Sequence, residues 1–379
     1  MFEVDNVTCS RKLCIFTNSN CNLRCTYCYE NKTEESSFDF EDVKRQLDIF
    51  LKETTEHGTL IKLHGGEPFL VFPQIQDLCE FLWQYHYPEK YIIHTTTNGT
   101  LVHGPIQEWL SANRHRFSIK LSVDGKRESH NRNRPGSYDR IDFAFFLRNW
   151  PDIVVKMTIS PSSIVDFAEN VIFLHELGFK NIHPSFAEMV SWPASGMGRI
   201  FFEEMKKLSV YYLGHPKIKP CTFFKVPFEN IFMAGDSCHP CTIGSKNAYD
   251  LNNGKQYPCH LFFESVCGKK KSEELLNMDF SKKELLTNSR CSKCPFVKMC
   301  RTCYAANYIA RGDIAFRDPW MCLFNRCRYK AVAQYEFSRI GQENFHELPE
   351  IEKYRTYKKM KAVRTLLPFF EQVEKDSRW

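Results

Sequence analysis

From residue 12 to about 212, short apolar runs alternate with stretches whose apolar residues recur at helical spacing, and six such units can be counted. KLCIFT, TLIKL, YIIHTT, FSIKLSV, IVVKMTIS and KNIHPSF are each short and largely apolar, the pattern of strands buried on both faces of a parallel sheet. Between them, Val43, Leu47, Phe50 and Leu51 predict one amphipathic helix and Ile75, Leu78, Phe81 and Leu82 a second. Phe143, Phe146 and Leu147 predict a third, and Phe167, Val171, Leu174 and Leu177 a fourth, stopped by Gly178. Consecutive βα units with right-handed crossovers favour a parallel barrel, and six are too few to close one of eight strands. The fold class expected is therefore α/β, an open (β/α)6 partial TIM barrel.

After about residue 215 the pattern changes. Eleven of the 17 cysteines fall between Cys221 and Cys327, strands become short, and turns such as NNGK appear. From about 328 the cysteines stop and the chain reads as a basic helical tail, broken at Pro349 and Pro368. The division expected is a barrel over 1–215, a cysteine-rich domain over 216–330 and a helical extension over 331–379.

Composition narrows the chemistry. A hydrophobic content of 43% and a charged content of 25% are those of a globular protein, which sets disorder aside. No apolar run approaches membrane-spanning length and the N-terminus lacks the pattern of a signal peptide, so a cytoplasmic protein is expected. In that compartment many cysteines point to metal or cluster ligation rather than disulfides. A net charge of +6, with no like-charge run beyond Lys269 to Lys271, gives nucleic-acid binding little support.

The candidate chemistry sits at strand ends, where parallel barrels gather their functional residues. CNLRCTYC places Cys21, Cys25 and Cys28 as CxxxCxxC after the first strand. Three thiolates leave one iron of a four-iron cluster open for a ligand, although the triplet alone also suits a zinc knuckle. Gly65, Gly66, Glu67 and Pro68 end the second strand; the glycines permit close backbone approach to a ligand, and Glu67 can accept hydrogen bonds from an amine. TTNG, ending at Asn98 and Gly99, closes the third strand, and Ser122 to Gly125 the fourth.

With Tyr27 before the third cysteine, this set resembles the radical S-adenosylmethionine (SAM) enzymes. The resemblance implies that SAM chelates the open iron, that the Gly65-Gly66-Glu67 segment meets its amino group, and that Tyr27, Asn98, Ser122 and Arg134 complete the SAM site. His130 and Arg134 resemble the family's hDxxR pattern, with Asn131 in place of the acid.

Farther on, Cys241, twelve residues, Gly254, four residues and Cys259 are followed by CSKCPFVKMCRTC, which sets Cys291, Cys294, Cys300 and Cys303, and then by Cys322. This resembles the SPASM domain, the auxiliary-cluster module of peptide- and protein-modifying radical SAM enzymes. It implies one auxiliary [4Fe-4S] cluster on Cys238, Cys241, Cys259 and Cys303, and a second on Cys291, Cys294, Cys300 and Cys322, with Cys327 competing for the last place. Two residues rather than three separate Cys300 from Cys303, a departure that touches Cys303. Including the SAM cluster, three [4Fe-4S] clusters are expected.

His260 is the catalytic candidate. In the sulfatase-maturing relatives the resemblance implies an aspartate there as proton acceptor; histidine can do that work or donate to a cluster sulfur. The expected activity is reductive SAM cleavage to a 5'-deoxyadenosyl radical, hydrogen abstraction from a ribosomally made peptide, and an intramolecular thioether or C–C crosslink. Formylglycine formation, a small-molecule radical SAM reaction and a non-catalytic zinc-binding module are the alternatives. The partners implied are the peptide and an external electron donor such as flavodoxin or ferredoxin. Only twenty residues precede Cys21, so leader recognition is expected from a separate protein or from the tail, whose Lys358, Lys359, Lys361 and Arg364 otherwise read as a solvated helix face.

Overall fold

The structure, a computed structural model, describes residues 9–30, 39–193, 195–233, 241, 243, 248–280, 282–342 and 349–379. The first half alternates as expected: β1 (Arg11–Phe16), α1 (Phe40–Leu51), β2 (Thr59–His64), α2 (Phe72–Trp83), β3 (Tyr91–Thr97), α3 (Pro105–Asn113), β4 (Phe117–Ser122), α4 (Arg127–Asn133), α5 (Phe143–Asn149), β5 (Val154–Ile159), α6 (Phe167–Glu176), β6 (Asn181–Phe186) and α7 (Met197–Gly214). A short hairpin, β7 (Ala248–Asp250) and β8 (Lys255–Tyr257), follows. The rest is helical: α8 (Glu264–Cys267), α9 (Lys269–Leu276), α10 (Ser289–Ser292), α11 (Tyr304–Arg311), α12 (Pro319–Gln342) and α13 (Glu350–Phe370). No helix of the described residues is long and apolar enough to cross a membrane.

The strands form one sheet in the order β6-β5-β4-β3-β2-β1-β7-β8. β1 to β5 pair in parallel, as βα crossovers require, and the hairpin adds β7 parallel to β1 at Lys12↔Ala248. The α/β partial barrel expected from the alternation is the architecture observed.

The expectation of strands buried on both faces is corrected. In β2, β4 and β5 burial alternates residue by residue: Ile61, Leu63, Ile119, Leu121, Val155 and Met157 are buried, whereas Lys62, His64, Lys120, Ser122 and Lys156 are half-exposed. Successive side chains point to opposite faces, so one face carries the core and the other stays polar. On that second face these strands carry lysines, histidine and serine instead of branched apolar side chains.

Two compact units account for the chain. The first comprises Met1–Val123, His130–Lys156 and Ile243–Ser281; the second comprises Asp124–Ser129, Met157–Thr242 and Lys282–Trp379. Within the first, Asp39 caps α1, its carboxylate accepting from the Glu41 and Asp42 amides at 3.0 Å, and Val43, Leu47 and Leu51 turn inward. Within the second, α6 ends in a Schellman arrangement: the Phe179 amide donates to the Leu174 carbonyl and that of Gly178 to His175, with Gly178 at φ +107°. There too α12 packs along α7, and Phe324 stacks on Phe186 at 4.6 Å.

Pro349 lies just ahead of α13, but Pro368 does not break it; the helix ends at Phe370, where a missing N–H costs only one late bond. Ala362, Val363, Leu366 and Phe370 of α13 are buried, so that helix packs rather than standing free in solvent.

The glycines after β2 have a structural reason that differs from the one expected. A Cβ on Gly66 would lie 2.1 Å from the Asn20 carbonyl oxygen and one on Gly65 2.5 Å from that of Asn18. They admit the backbone of the β1–α1 loop, which carries the cysteine triplet, rather than open space for a ligand. Gly66→Ala should therefore destabilise the protein by about 1–3 kcal/mol, as overpacking does, read as a lowered denaturation midpoint.

Candidate active site

The loop after β1 is fastened to the end of β2. The Thr17 amide donates to the His64 carbonyl at 2.6 Å, the Gly66 amide to Asn18 at 3.0 Å, and the Glu67 amide to Asn20 at 2.9 Å. The Asn18 side-chain amide returns a bond to the Glu67 carbonyl at 3.0 Å. Together these bonds hold the start of the triplet loop in register with the Gly65-Gly66-Glu67 turn.

The Glu67 side chain is buried and serves the same frame. Its carboxylate accepts from Thr97 Oγ1 at 2.7 Å, from the Asn98 amide at 2.8 Å and from the Phe69 amide at 3.2 Å. Burial pushes its carboxyl upward, while those three bonds and the Arg134 charge pull the other way. Glu67 thus joins the ends of β2 and β3, with lone-pair capacity left on its two oxygens.

Donors then converge on the thiols. Asn98 Nδ2 donates to Asn22 Oδ1 at 2.9 Å and lies 3.9 Å from Cys21 Sγ; the Leu23 amide donates to the same sulfur at 3.4 Å. Arg134 Nη1 reaches Cys25 Sγ at 4.0 Å, and its guanidinium lies 5.5 Å from the Tyr27 ring centroid. The Asn133 carbonyl, at the end of α4, accepts from the Thr26 amide at 2.9 Å. Cys21 and Cys25 are half-buried and Cys28 is exposed. Asn131 holds the turn after α4, its Oδ1 accepting from the Ser137 and Tyr138 amides at 3.1 Å. Ser122 stands half-buried at the end of β4, its Cα opposite that of Lys156.

N–H donors aimed at sulfur suit thiolates and the sulfides of an anionic cluster, because they stabilise negative charge without competing as ligands. The donor set therefore fits an iron-sulfur cluster at Cys21, Cys25 and Cys28. Among the described residues no three His, Cys, Asp or Glu side chains are gathered tightly enough for a single metal ion.

Residues 15–145 match the model of the radical SAM superfamily. The chain carries a radical SAM domain. Over 359 residues it is 22% identical to a cysteine-type anaerobic sulfatase-maturating enzyme of Clostridium perfringens, covering 85% of this chain and 95% of that one. A GTP 3',8-cyclase of the same species is 29% identical over 172 residues, 44% of this chain and 51% of its own length. Among solved structures, native anSMEcpe with bound AdoMet and Cp18Cys peptide superposes with a TM-score of 0.64 at 20% identity, covering 87% of this chain and 97% of that one. Streptococcus suis SuiB bound to the precursor peptide SuiA gives 0.56 at 18% identity, covering 83% and 76%. The radical SAM domain implies SAM and a [4Fe-4S] cluster.

The remaining cysteines divide. In the second unit, Cys291, Cys294, Cys300 and Cys322 line one pocket together with Arg317 and Asp318. Burial pushes the thiols of Cys291 and Cys294 up and that of Cys300 to about 12, so they are protonated until a metal displaces the protons. Cys327, the rival of Cys322, is fully buried and absent from that pocket. Cys303 caps α11, its sulfur accepting from the Ala306 amide at 3.4 Å, and Cys241 acts electrostatically on the neighbouring Tyr304. Cys238 lies outside the described residues.

His260, in the first unit, follows Cys259, and its Nδ1 lies 3.7 Å from the Cys259 sulfur. Its ring packs edge-on against His64 at 4.9 Å, and His64 Nε2 meets Glu30 Oε1 at 3.1 Å. Burial first, then the charges of Lys62, His64 and Lys12, hold the His260 imidazole well below its ordinary range. Burial and Lys12 likewise lower the Lys62 ammonium to about 8. Glu30, His64, Lys12 and Lys62 were not singled out from sequence. For Lys62 and His64 the signal was present as alternation within TLIKLH, hidden by reading that strand as buried throughout; Glu30, in the loop after the triplet, and Lys12, in the non-alternating RKLCIF, carried no such signal.

Two outcomes are expected. Cys25→Ala should abolish reductive cleavage of SAM, measured as 5'-deoxyadenosine by liquid chromatography. Thr97→Val should cost about 1–3 kcal/mol in urea unfolding, because a buried carboxylate loses one of its donors.

Proposed function

We propose that this radical SAM enzyme matures a ribosomally made peptide, closing an intramolecular thioether or carbon–carbon crosslink, with two auxiliary [4Fe-4S] clusters in a SPASM domain beside the SAM cluster. The observation that carries the reading is that Cys291, Cys294, Cys300 and Cys322 all line one pocket, four thiols in addition to the Cys21-Cys25-Cys28 triplet. A second support is coverage: the similarity to anSMEcpe and to SuiB, whose structures hold peptides, spans most of this chain.

When bound and reduced by one electron, SAM supplies a 5'-deoxyadenosyl radical that takes a hydrogen atom from an unactivated carbon. The chain's own residues position and protect. Arg134, Asn98 and the Leu23 amide hold the sulfurs, and Glu67 keeps the strand ends that frame SAM in place. Crosslinking a C–H carbon to a thiol removes two hydrogens. One leaves as the abstracted atom; the other leaves as a proton and an electron, and Cys291, Cys294, Cys300 and Cys322 would hold the cluster that could accept that electron. An external one-electron carrier such as flavodoxin or ferredoxin completes the balance.

The coverage of the sulfatase-maturating relative supports a second reading, conversion of a peptide cysteine or serine to formylglycine. His260 weighs against it. Where the resemblance implies an aspartate acceptor, this imidazole has Nδ1 directed at the Cys259 sulfur, a geometry that suits a donor to a ligand.

Co-expression with a small cysteine-rich peptide encoded nearby, followed by mass spectrometry, separates the readings. Loss of two hydrogens supports crosslinking; an aldehyde captured by hydrazide supports formylglycine; an unmodified peptide alongside robust turnover of a small molecule overturns both. Cys300→Ala should remove one four-iron cluster's worth of iron and sulfide from the reconstituted protein, while the iron held by the SAM-binding triplet remains.

A further inference from the structure

The polar face of the sheet is lined by lysines. Lys12 of β1, Lys62 of β2, Lys120 of β4 and Lys156 of β5 occupy positions of one parity, with His94 of β3 among them, and all belong to the first unit. The register sets them on a diagonal across the strands: Lys12 opposes Leu60, two residues before Lys62; Lys62 opposes His94; Lys120 opposes Thr96, two residues beyond His94; and Lys156 opposes Ser122, two residues beyond Lys120. Neighbouring strands lie about 4.8 Å apart, so Lys12 and Lys62, on adjacent strands, are near neighbours, and the row continues diagonally to Lys120 and Lys156. Barrel interiors are normally packed with branched apolar side chains, and a lysine there carries a desolvation cost unless something answers its charge.

Electrostatics on this face is correspondingly one-sided. Lys62 feels Lys12 as a repulsion, and His94 is held neutral by burial and by Lys120, Lys62, Lys12 and Lys156. Two carboxylates act on the same region. Glu30 is engaged by His64, and Asp250, opposite Cys14, is pushed by burial to about 6. Among the described residues neither Lys12 nor Lys62 has a hydrogen-bond or ion-pair partner.

We propose that this lysine-lined inner face is an anion subsite that takes a carboxylate-bearing segment of the substrate, the Asp or Glu side chains of an acidic peptide. The inference rests on the peptide reading above and adds its charge. The face offers point charges on separate strands and no arginine fork. That spacing matches several carboxylates along an extended chain better than one compact phosphate, which a bidentate guanidinium would grip. Thr96 and Ser118, at positions of the same parity, add neutral hydrogen-bonding groups on the same face.

The test uses the anaerobically reconstituted full chain, saturated with SAM, and fluorescence anisotropy of labelled hexaglutamate against labelled hexaglutamine at low salt. Hexaglutamate should bind and hexaglutamine should not. Lys62→Gln and Lys12→Gln should each weaken binding roughly tenfold or more, the effect of removing one charged hydrogen bond. Lys62→Arg should retain it, which separates lost charge from lost fold, and Lys270→Gln on the exposed surface of α9 should change nothing. Binding that ignores Lys62 and Lys12 overturns the subsite and leaves peptide maturation standing. In a parallel titration of the reconstituted chain without SAM, displacement of hexaglutamate as SAM is added shows that the lysines serve SAM's own carboxylate and overturns it as well. If free glutamate or inorganic phosphate binds as tightly as hexaglutamate and with the same dependence on Lys62, the anion subsite stands and its peptide occupant is overturned.

Discussion

The buried carboxylate of Glu67 is the constraint on which the end of this domain that carries the cysteine triplet depends. It is taken out of water at the end of β2 and compensated by Thr97 and by the Asn98 and Phe69 amides, so the ends of β2 and β3 cannot drift apart without stranding a charge. The same turn, through Gly65 and Gly66, admits the backbone of the loop that carries Cys21. Cysteine loop, glycine turn and Asn98 are therefore one mechanical object. Asn98, far from Cys21 in sequence, stands beside its sulfur because one acid holds the ends of β2 and β3 at fixed separation.

Much of this was legible in the chain. The alternation of apolar runs and helical periodicity located six strands nearly to the residue, and CNLRCTYC, GGEP and TTNG fell at strand ends as expected. What sequence could not supply was the reason for each residue. The glycines read as room for a ligand, and the loop backbone fills that room. α4 was not singled out because a seven-residue polar helix carries little apolar periodicity, whereas α7 was missed although Phe201, Phe202, Met205, Leu208 and Tyr212 recur at helical spacing and are buried. His64 and Lys62 were hidden in strands too apolar overall to look two-faced.

The cysteines show a second limit. Cys291, Cys294 and Cys300, grouped by their spacing, line one pocket, yet spacing left Cys322 and Cys327 as rivals. Five residues apart on α12, the two differ in what surrounds them: one lines the pocket with Arg317 and Asp318, and the other is sealed in the core. A helix turn, not a motif, makes that distinction.

The lysines on the inner face have a thermodynamic consequence for whatever occupies it. Lys62, lowered to about 8, is partly deprotonated in mildly alkaline buffer. An anion seated against it favours the ammonium form, so docking there must draw a proton out of solution. The heat of such an encounter would then contain the ionisation enthalpy of the buffer, and the same association would be more exothermic in phosphate than in Tris.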